Sequence, residues 1–313
     1  MQCGSVDRSG AGREPCRGVV LVTVLWVLAL LSLIATNLSL GARSFSRQTL
    51  NLEYGMQAGL ANDAGMTWAL WNLQQPPAGA WLADGQVHWM WLDDMQVGVR
   101  LQDESGKLDL NLAPAELLDA LLVPVQEDSR LRAQLVAAIE DWRDADDLVR
   151  LNGAESEQYR AAGWSEGPGN RPFVSLQELN RVLGITPEVY HYMLPHLTLS
   201  TRVQTVNPKL ASFEVLMALP NASPHVVGQY IRQRREARAA GQPIPELPFN
   251  AAPYSAERRS GLHYRVDVEA RQGERVRVRR AVLLLRQGAQ MRLTPEHALP
   301  IEIPLGDPTE EGR

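Results

Sequence analysis

Cysteine is almost missing from this chain. The 313 residues contain two, Cys3 and Cys16, both close to the start. The remainder therefore has no disulfide, thiol nucleophile or thiolate metal ligand. A chain this long builds a core without such staples. Lysine is just as scarce, Lys107 and Lys209 being the only two among 31 basic residues. A net charge of −5 gives no basic footprint for nucleic acid. Catalytic signatures are absent as well: there is no Gly-x-Ser-x-Gly, His-Glu-x-x-His, P-loop or Gly-x-Gly-x-x-Gly. The six histidines are scattered, and His191 and His196, five apart, share a helix face poorly.

Charge is missing from one long stretch. Val19–Ala42 holds 24 residues with no Asp, Glu, Lys or Arg, and Arg43 ends it. A bilayer core of about 30 Å needs roughly 20 apolar helical residues, so the stretch can span. Three readings are open. A secretory signal would have a shorter apolar region and a small-residue cleavage site, for which Leu40-Gly41-Ala42 is a candidate. A plain signal anchor fits the length. A prepilin-type signal is cut after a glycine before the apolar run, and Arg17-Gly18/Val19 fits that pattern. Arg13 and Arg17 favour a cytoplasmic N-terminus, leaving the remaining domain on the far side of the membrane.

Proline is absent between Pro15 and Pro76, which predicts one helix of about 50 residues, half in lipid and half packed on a domain. Leu50, Leu52, Met56, Leu60, Met66, Trp68, Leu70 and Leu73 alternate with polar and small residues along its second half, and Gln74–Pro77 ends it. Alternating patterns predict strands over Gln86–Leu92 and Met95–Leu101 with a turn at Asp93-Asp94, then a short one within Lys107–Leu112. Helical patterns come next at Ala115–Leu122, Ser129–Trp142, Pro187–Leu194, Ser212–Leu219 and Pro224–Ala240. Ser175-x-x-Glu178 reads as a capping box opening another helix. Gln242–Pro253, with four prolines, reads as a linker. Strands return over His263–Ala270, Arg275–Leu285 and Gln290–Leu293, and a polar tail starts at Pro304. Helix, strands, helices, strands is the order of an α+β domain whose sheet carries an inserted helical block.

Two clusters invite chemistry. Ile139–Tyr159 carries Glu140, Asp141, Asp144, Asp146, Asp147, Glu155 and Glu157. Such a density is either a solvated acidic helix end or a site for an oxygen-preferring cation such as calcium. Asp144, Asp146 and Glu155 fall at positions 1, 3 and 12 of an EF-hand loop, yet Leu148 and Val149 occupy positions 5 and 6, so this is no EF-hand. No histidine lies there to suggest zinc. Thr205–Arg235 resembles a helix-hairpin-helix, with Asn221-Ala222-Ser223 where a DNA-binding hairpin has glycine. Its basic run Arg232, Arg234, Arg235 and Arg238 reads as a solvated helix face.

Taken in order, several segments resemble the minor pseudopilin K family of the bacterial type II secretion system. They are Arg17-Gly18/Val19 with Leu21–Leu25; Gly106-Lys107-Leu108-Asp109-Leu110-Asn111; Asp141-Trp142-Arg143-Asp144-Ala145-Asp146; Gly153-Ala154-Glu155 with Tyr159; Ser175-Leu176-x-Glu178-Leu179 with Val182-x-Gly184-Ile185; and Thr205-Val206-Asn207. The resemblance implies an α+β, pilin-like fold: a long N-terminal transmembrane helix continuing into a helix-plus-antiparallel-sheet domain with a large inserted all-α, SAM-like or helix-hairpin-helix-like domain. It divides the chain into a leader (1–18), a transmembrane part (19–42), a first pilin-like part (43–112), a helical insertion (113–245, as 113–200 and 203–245) and C-terminal strands and tail (246–313).

The same resemblance implies cleavage by a prepilin peptidase after Gly18 and methylation of the Val19 amine. It implies a non-enzymatic, single-pass inner-membrane protein with a periplasmic domain, at the tip of a pseudopilus. Its partners would be the I- and J-type minor pseudopilins and secreted substrates, with no nucleic acid. Thr23 stands where most pilin-like subunits carry the glutamate that neutralises a neighbour's N-terminal ammonium. Calcium is implied at Asp141, Asp144, Asp146 and Glu155, with Ser156 where the family often has another acid. The rival expectations are a membrane-anchored periplasmic hydrolase with a carboxylate or calcium site, and a helix-hairpin-helix DNA-uptake protein.

Overall fold

The computed structural model describes residues 17–76, 79–273, 276–288, 290–293 and 305. Most of the expected leader, and the tail beyond Pro304 apart from Leu305, therefore lie outside the described residues. The chain divides into two units, Met1–Met56 and Gln57–Arg313.

The first unit is helical wherever it is described. It belongs to helix α1, Arg17–Leu73, which runs unbroken because no proline interrupts it. Leu21–Gly41 has a mean hydropathy of 2.3 and none of it is buried, so it is long and apolar enough to cross a membrane. Two of its polar side chains bond back one turn: Thr36 Oγ1 donates to Ser32 O at 2.8 Å and Asn37 Nδ2 to Leu33 O at 3.0 Å. Such i−4 bonds supply a partner to a polar donor in an apolar surround.

In the second unit the rest of α1 lies on a five-stranded antiparallel sheet. Strands β1 (Asp84–Leu92) and β2 (Met95–Asp103) form a hairpin turning at Asp93, whose φ is 50°. A short parallel pair comes next, β3 (Leu108–Asp109) with β4 (Leu197–Thr198). Three further strands complete the sheet: β5 (His263–Gln272), β6 (Val276–Gln287) and β7 (Gln290–Leu293). The sheet order is β1-β2-β5-β6-β7. Strand β2 thus pairs with β5, Val99 facing Val268 and Leu101 facing Val266, while the whole helical block leaves the sheet between them and returns.

The helix face on the sheet is built from small residues. Ala58, Ala61 and Ala69 are buried against Val97, Val99, Leu101, Val266 and Val268, whereas Leu60 and Trp71 are exposed and Met66, Trp68, Leu70 and Leu73 only flank the core. Gly65 shows why: a Cβ there would lie 2.6 Å from Val268 and 2.9 Å from Val97. Close approach, rather than bulk, sets this contact. Asn62 Nδ2 reaches the β6 backbone at Val278 O, 3.0 Å away.

The inserted block comprises α2 (Ala115–Leu122), α3 (Ser129–Arg143), α4 (Ser156–Ala161), α5 (Pro187–Met193), α6 (Phe213–Met217) and α7 (Pro224–Ala239). One apolar core runs through it from Leu108 to Ala251, including Leu117, Ile139, Trp142, Tyr159, Leu216 and Tyr230. Two expectations fail locally. Ser175 does cap, accepting from Gln177 N–H at 3.2 Å, but it opens a 3₁₀ stretch, Leu176–Arg181, and Glu178 turns to Arg171 instead of closing a box. Helix α6 spans only five residues, with Ser212 as its cap. Strand β4 and helix α4 lacked enough residues to carry a period and were not expected.

Candidate metal centre

Asp141 sits near the end of α3 and, unusually for a carboxylate, is fully buried beside Ile139 and Trp142. The α3 stripe explains this, because its last turn faces the core. Asp141 spends its Oδ2 on backbone, accepting from Arg150 N–H at 3.3 Å and Ala154 N–H at 2.8 Å. Those bonds draw the loop after α3 back under the helix. The loop reverses at Asn152, φ 67°, and at Gly153, whose N–H donates to Arg150 O at 2.9 Å. A Cβ on Gly153 would lie 2.0 Å from Asp141 Oδ2, so only glycine fits.

The reversal brings two helix ends together. Asp144 is the C-terminal cap of α3, and Glu155 is the residue before α4. With Asp146 they form a trio in which one oxygen from each lies within 4.8 Å of the others. Asp141, the fourth expected ligand, is outside this trio and acts as the loop's anchor. Two neighbours stand outside the expected ligand set: Asp147, counted only in the acidic cluster, and Arg150, which was not singled out. Asp147 lies beside Glu155 and accepts from Ser156 Oγ at 3.1 Å, so a carboxylate stands where Ser156 lacks one. Arg150 joins Asp144 at 2.9 Å and Asp141 at 3.2 Å. Only a loop that folds back could bring residues so spaced together, and spacing alone does not reveal the fold-back.

Glu155 is 3 % exposed and caps α4 in a capping box: Gln158 Oε1 accepts from its N–H at 2.9 Å, and its carboxylate faces the Gln158 N–H without a close hydrogen bond; Asp144 Oδ1 is buried and unpartnered. Burial first, then repulsion from Asp141, Asp144 and Asp147, pushes Glu155 up to about 7. Orphaned, crowded carboxylate oxygens of this kind fit a hard, oxygen-preferring cation. An aromatic wall supports the site: Trp142 stacks on Phe173 at 5.7 Å, and Tyr159 Oη accepts from Leu183 N–H at 2.9 Å.

The other expected residues lie elsewhere. Gly18, Val19 and Thr23 are all in α1. Of the basic run, Arg234 and Arg235 join Asp84, and Arg238 donates to Ala80 O and Trp81 O. These three arginines serve the fold, against their reading as a solvated face, whereas Arg232 is exposed as expected.

Comparison with known proteins gives a consistent picture. Residues 99–202 match the family profile of type II secretion system (T2SS) protein K. Type II secretion system protein K of Klebsiella pneumoniae is 29% identical over 254 residues, covering 72% of this chain and 76% of that protein. The protein of the same name from Pectobacterium carotovorum subsp. carotovorum is 27% identical over 212 residues, with 59% and 63% covered. Among solved structures, a chain from the crystal structure of the GspK-GspI-GspJ complex of the enterotoxigenic Escherichia coli Type 2 Secretion System superposes with a TM-score of 0.56 at 17% identity. That match covers 79% of this chain and 97% of the other.

Proposed function

The chain is a member of the type II secretion system protein K family, a minor pseudopilin, and from that premise we propose that it sits at the tip of a periplasmic pseudopilus. There it primes assembly for the export of folded proteins across the outer membrane. The observation that carries this reading is the joining of an apolar helix, Leu21–Gly41, to an antiparallel sheet that bears a large helical block. The first part anchors the subunit among neighbouring helices in the inner membrane, and the second is bulk that stops further stacking above it. Prepilin peptidase cuts after Gly18 and methylates the Val19 amine. The domain then faces the periplasm, within reach of secreted substrates, and performs no catalysis.

Thr23 supports the tip position. A glutamate there would serve to neutralise a neighbour's ammonium, and a lone charge in the bilayer costs at least about 2.5–3.5 kcal/mol. A subunit with nothing above it has no ammonium to meet, so threonine is suited to the tip. The partners are minor pseudopilins of the I and J types, as in the complex of the structural relative. Calcium is held by Asp144, Asp146 and Glu155, with Asp141 anchoring the loop, and there it supplies charge neutralisation that stiffens the turn between α3 and α4. Three of the four arginines of that run are committed to Asp84 and to backbone carbonyls, which counts against the DNA-uptake reading.

Co-expression of the full chain with I- and J-type minor pseudopilins tests the assignment. A stoichiometric three-subunit complex purified in mild detergent is the expected result. A chain that stays alone while the other two associate would contradict it.

A further inference from the structure

Arg150 lies in the middle of the loop between α3 and α4, and it is bound to the acidic cluster twice. Its backbone N–H donates to Asp141 Oδ2 at 3.3 Å. Its side chain places Nη2 2.9 Å from Asp144 Oδ2 and Nε 3.2 Å from Asp141 Oδ1, with Glu140 Oε2 3.9 Å away. The other nearby guanidinium, Arg143, is engaged with Leu110 O at 2.7 Å and Ala113 O at 3.0 Å. Among the described residues Arg150 is therefore the cation that faces both Asp141 and Asp144. Its grip is one-sided: Asp144 Oδ2 is occupied, and Oδ1 stays buried without a partner.

We propose that Arg150 is the positioning residue of the carboxylate site, fixing Asp144 so that its second oxygen stays available to a cation and tying the exposed loop to that site. The inference rests on the calcium reading above. Two effects of a guanidinium oppose each other here. It repels an incoming cation, and it orients a ligand. Charge is abundant, since Glu140, Asp141, Asp144, Asp146, Asp147 and Glu155 surround the site against two arginines. Orientation is scarce, because Asp144 has no other fixed donor on Oδ2 among the described residues. Orientation therefore dominates, as with hydrogen-bonded partners behind metal ligands generally. The loop behaviour comes from the same contacts. Leu148, Val149 and Leu151 are exposed, Leu151 by 90%, and Arg150 lies between them. Leu148 N–H is also held by Asp146 Oδ1 at 2.9 Å. A cation seated on the trio thus stiffens the backbone that displays these apolar side chains.

Calorimetric titration of the full chain in detergent with calcium chloride tests this, using wild type, Arg150→Ala and Arg150→Lys. Hydrogen exchange of the 148–154 amides is measured in parallel. The expected result is about 10-fold weaker binding or more in Arg150→Ala, with partial recovery in Arg150→Lys, which keeps a charged donor. Calcium should slow exchange at Arg150 and Ala154 in wild type and much less in Arg150→Ala. Equal or tighter binding by a folded Arg150→Ala overturns the positioning role while leaving the calcium site standing. Absence of any calcium binding by wild type and both variants removes the site itself, and the inference with it.

Discussion

Arg234 of α7 and Asp84 at the start of β1 form an ion pair at 3.0 Å with both side chains essentially buried. Arg235 joins the same Asp84 oxygen at 2.9 Å but is 39% exposed. Arg234 Nη1 also donates to Pro208 O at 2.8 Å. One carboxylate thus joins the edge of the sheet to the last helix of the inserted block. Removing it strands a guanidinium in a low-dielectric site, which costs about 3–5 kcal/mol. Asp84→Ala should lower stability by that order in urea denaturation of the full chain in detergent. Arg235→Ala, at the exposed partner, should cost about 1 kcal/mol or less. Equal losses would contradict this division.

Gly153→Ala forces a methyl to within 2.0 Å of a buried carboxylate that already holds two backbone amides. The loop must give way, at a cost of about 1–3 kcal/mol. Calcium affinity should fall with it, since Glu155 depends on that reversal. Calorimetry and thermal denaturation of the same variant check both effects.

Two histidines predict an acid-side loss of stability. Burial pushes His88 down to about 4, with Asp84 opposing and Arg235 adding to the shift, and its ring stacks on Trp81 at 3.9 Å. His196 is also pushed down to about 4, by burial against the opposing pull of Glu214. The unfolded chain protonates both near the ordinary value of 6.5. Their stabilisation is therefore full above about 6.5 and is lost as pH falls towards about 4. Glu155, raised, works in the opposite sense. His88→Phe should flatten the decline in urea midpoint between about pH 6.5 and 4, and an unchanged slope would count against its burial.

Thr23→Glu places a carboxylate within the apolar run of α1. At a tip it meets no ammonium, so insertion or complex yield should drop, read as the amount of three-subunit complex recovered. Unchanged yield would leave the charge argument for the tip without force.

The fold was legible where a period or a breaker was long enough to see. Ala115–Leu122 is predicted and observed with the same bounds, and the absence of proline up to Pro76 foretold α1. Hairpins with short turns were legible for the same reason. Long-range contacts were not. Nothing local distinguishes Arg234, which is buried, from Arg232, which is exposed; the difference is Asp84, 150 residues earlier. Likewise the buried stripe of α1 is alanine and glycine, which a hydrophobicity pattern undervalues. At the acidic site the residue types left a solvated helix end and a cation site both open. The division of labour between Asp141, which anchors, and Asp144, Asp146 and Glu155, which cluster, depends on a loop reversal that spacing cannot show.

The measurement that bears most directly on the pseudopilin assignment is the intact mass of the membrane-bound protein made with and without a prepilin peptidase. Loss of residues 1–18 and gain of one methyl group, only when the peptidase is present, is the predicted result. A chain of unchanged mass would mark a plain signal anchor, and cleavage near Ala42 would release the domain from the membrane; either would contradict the account.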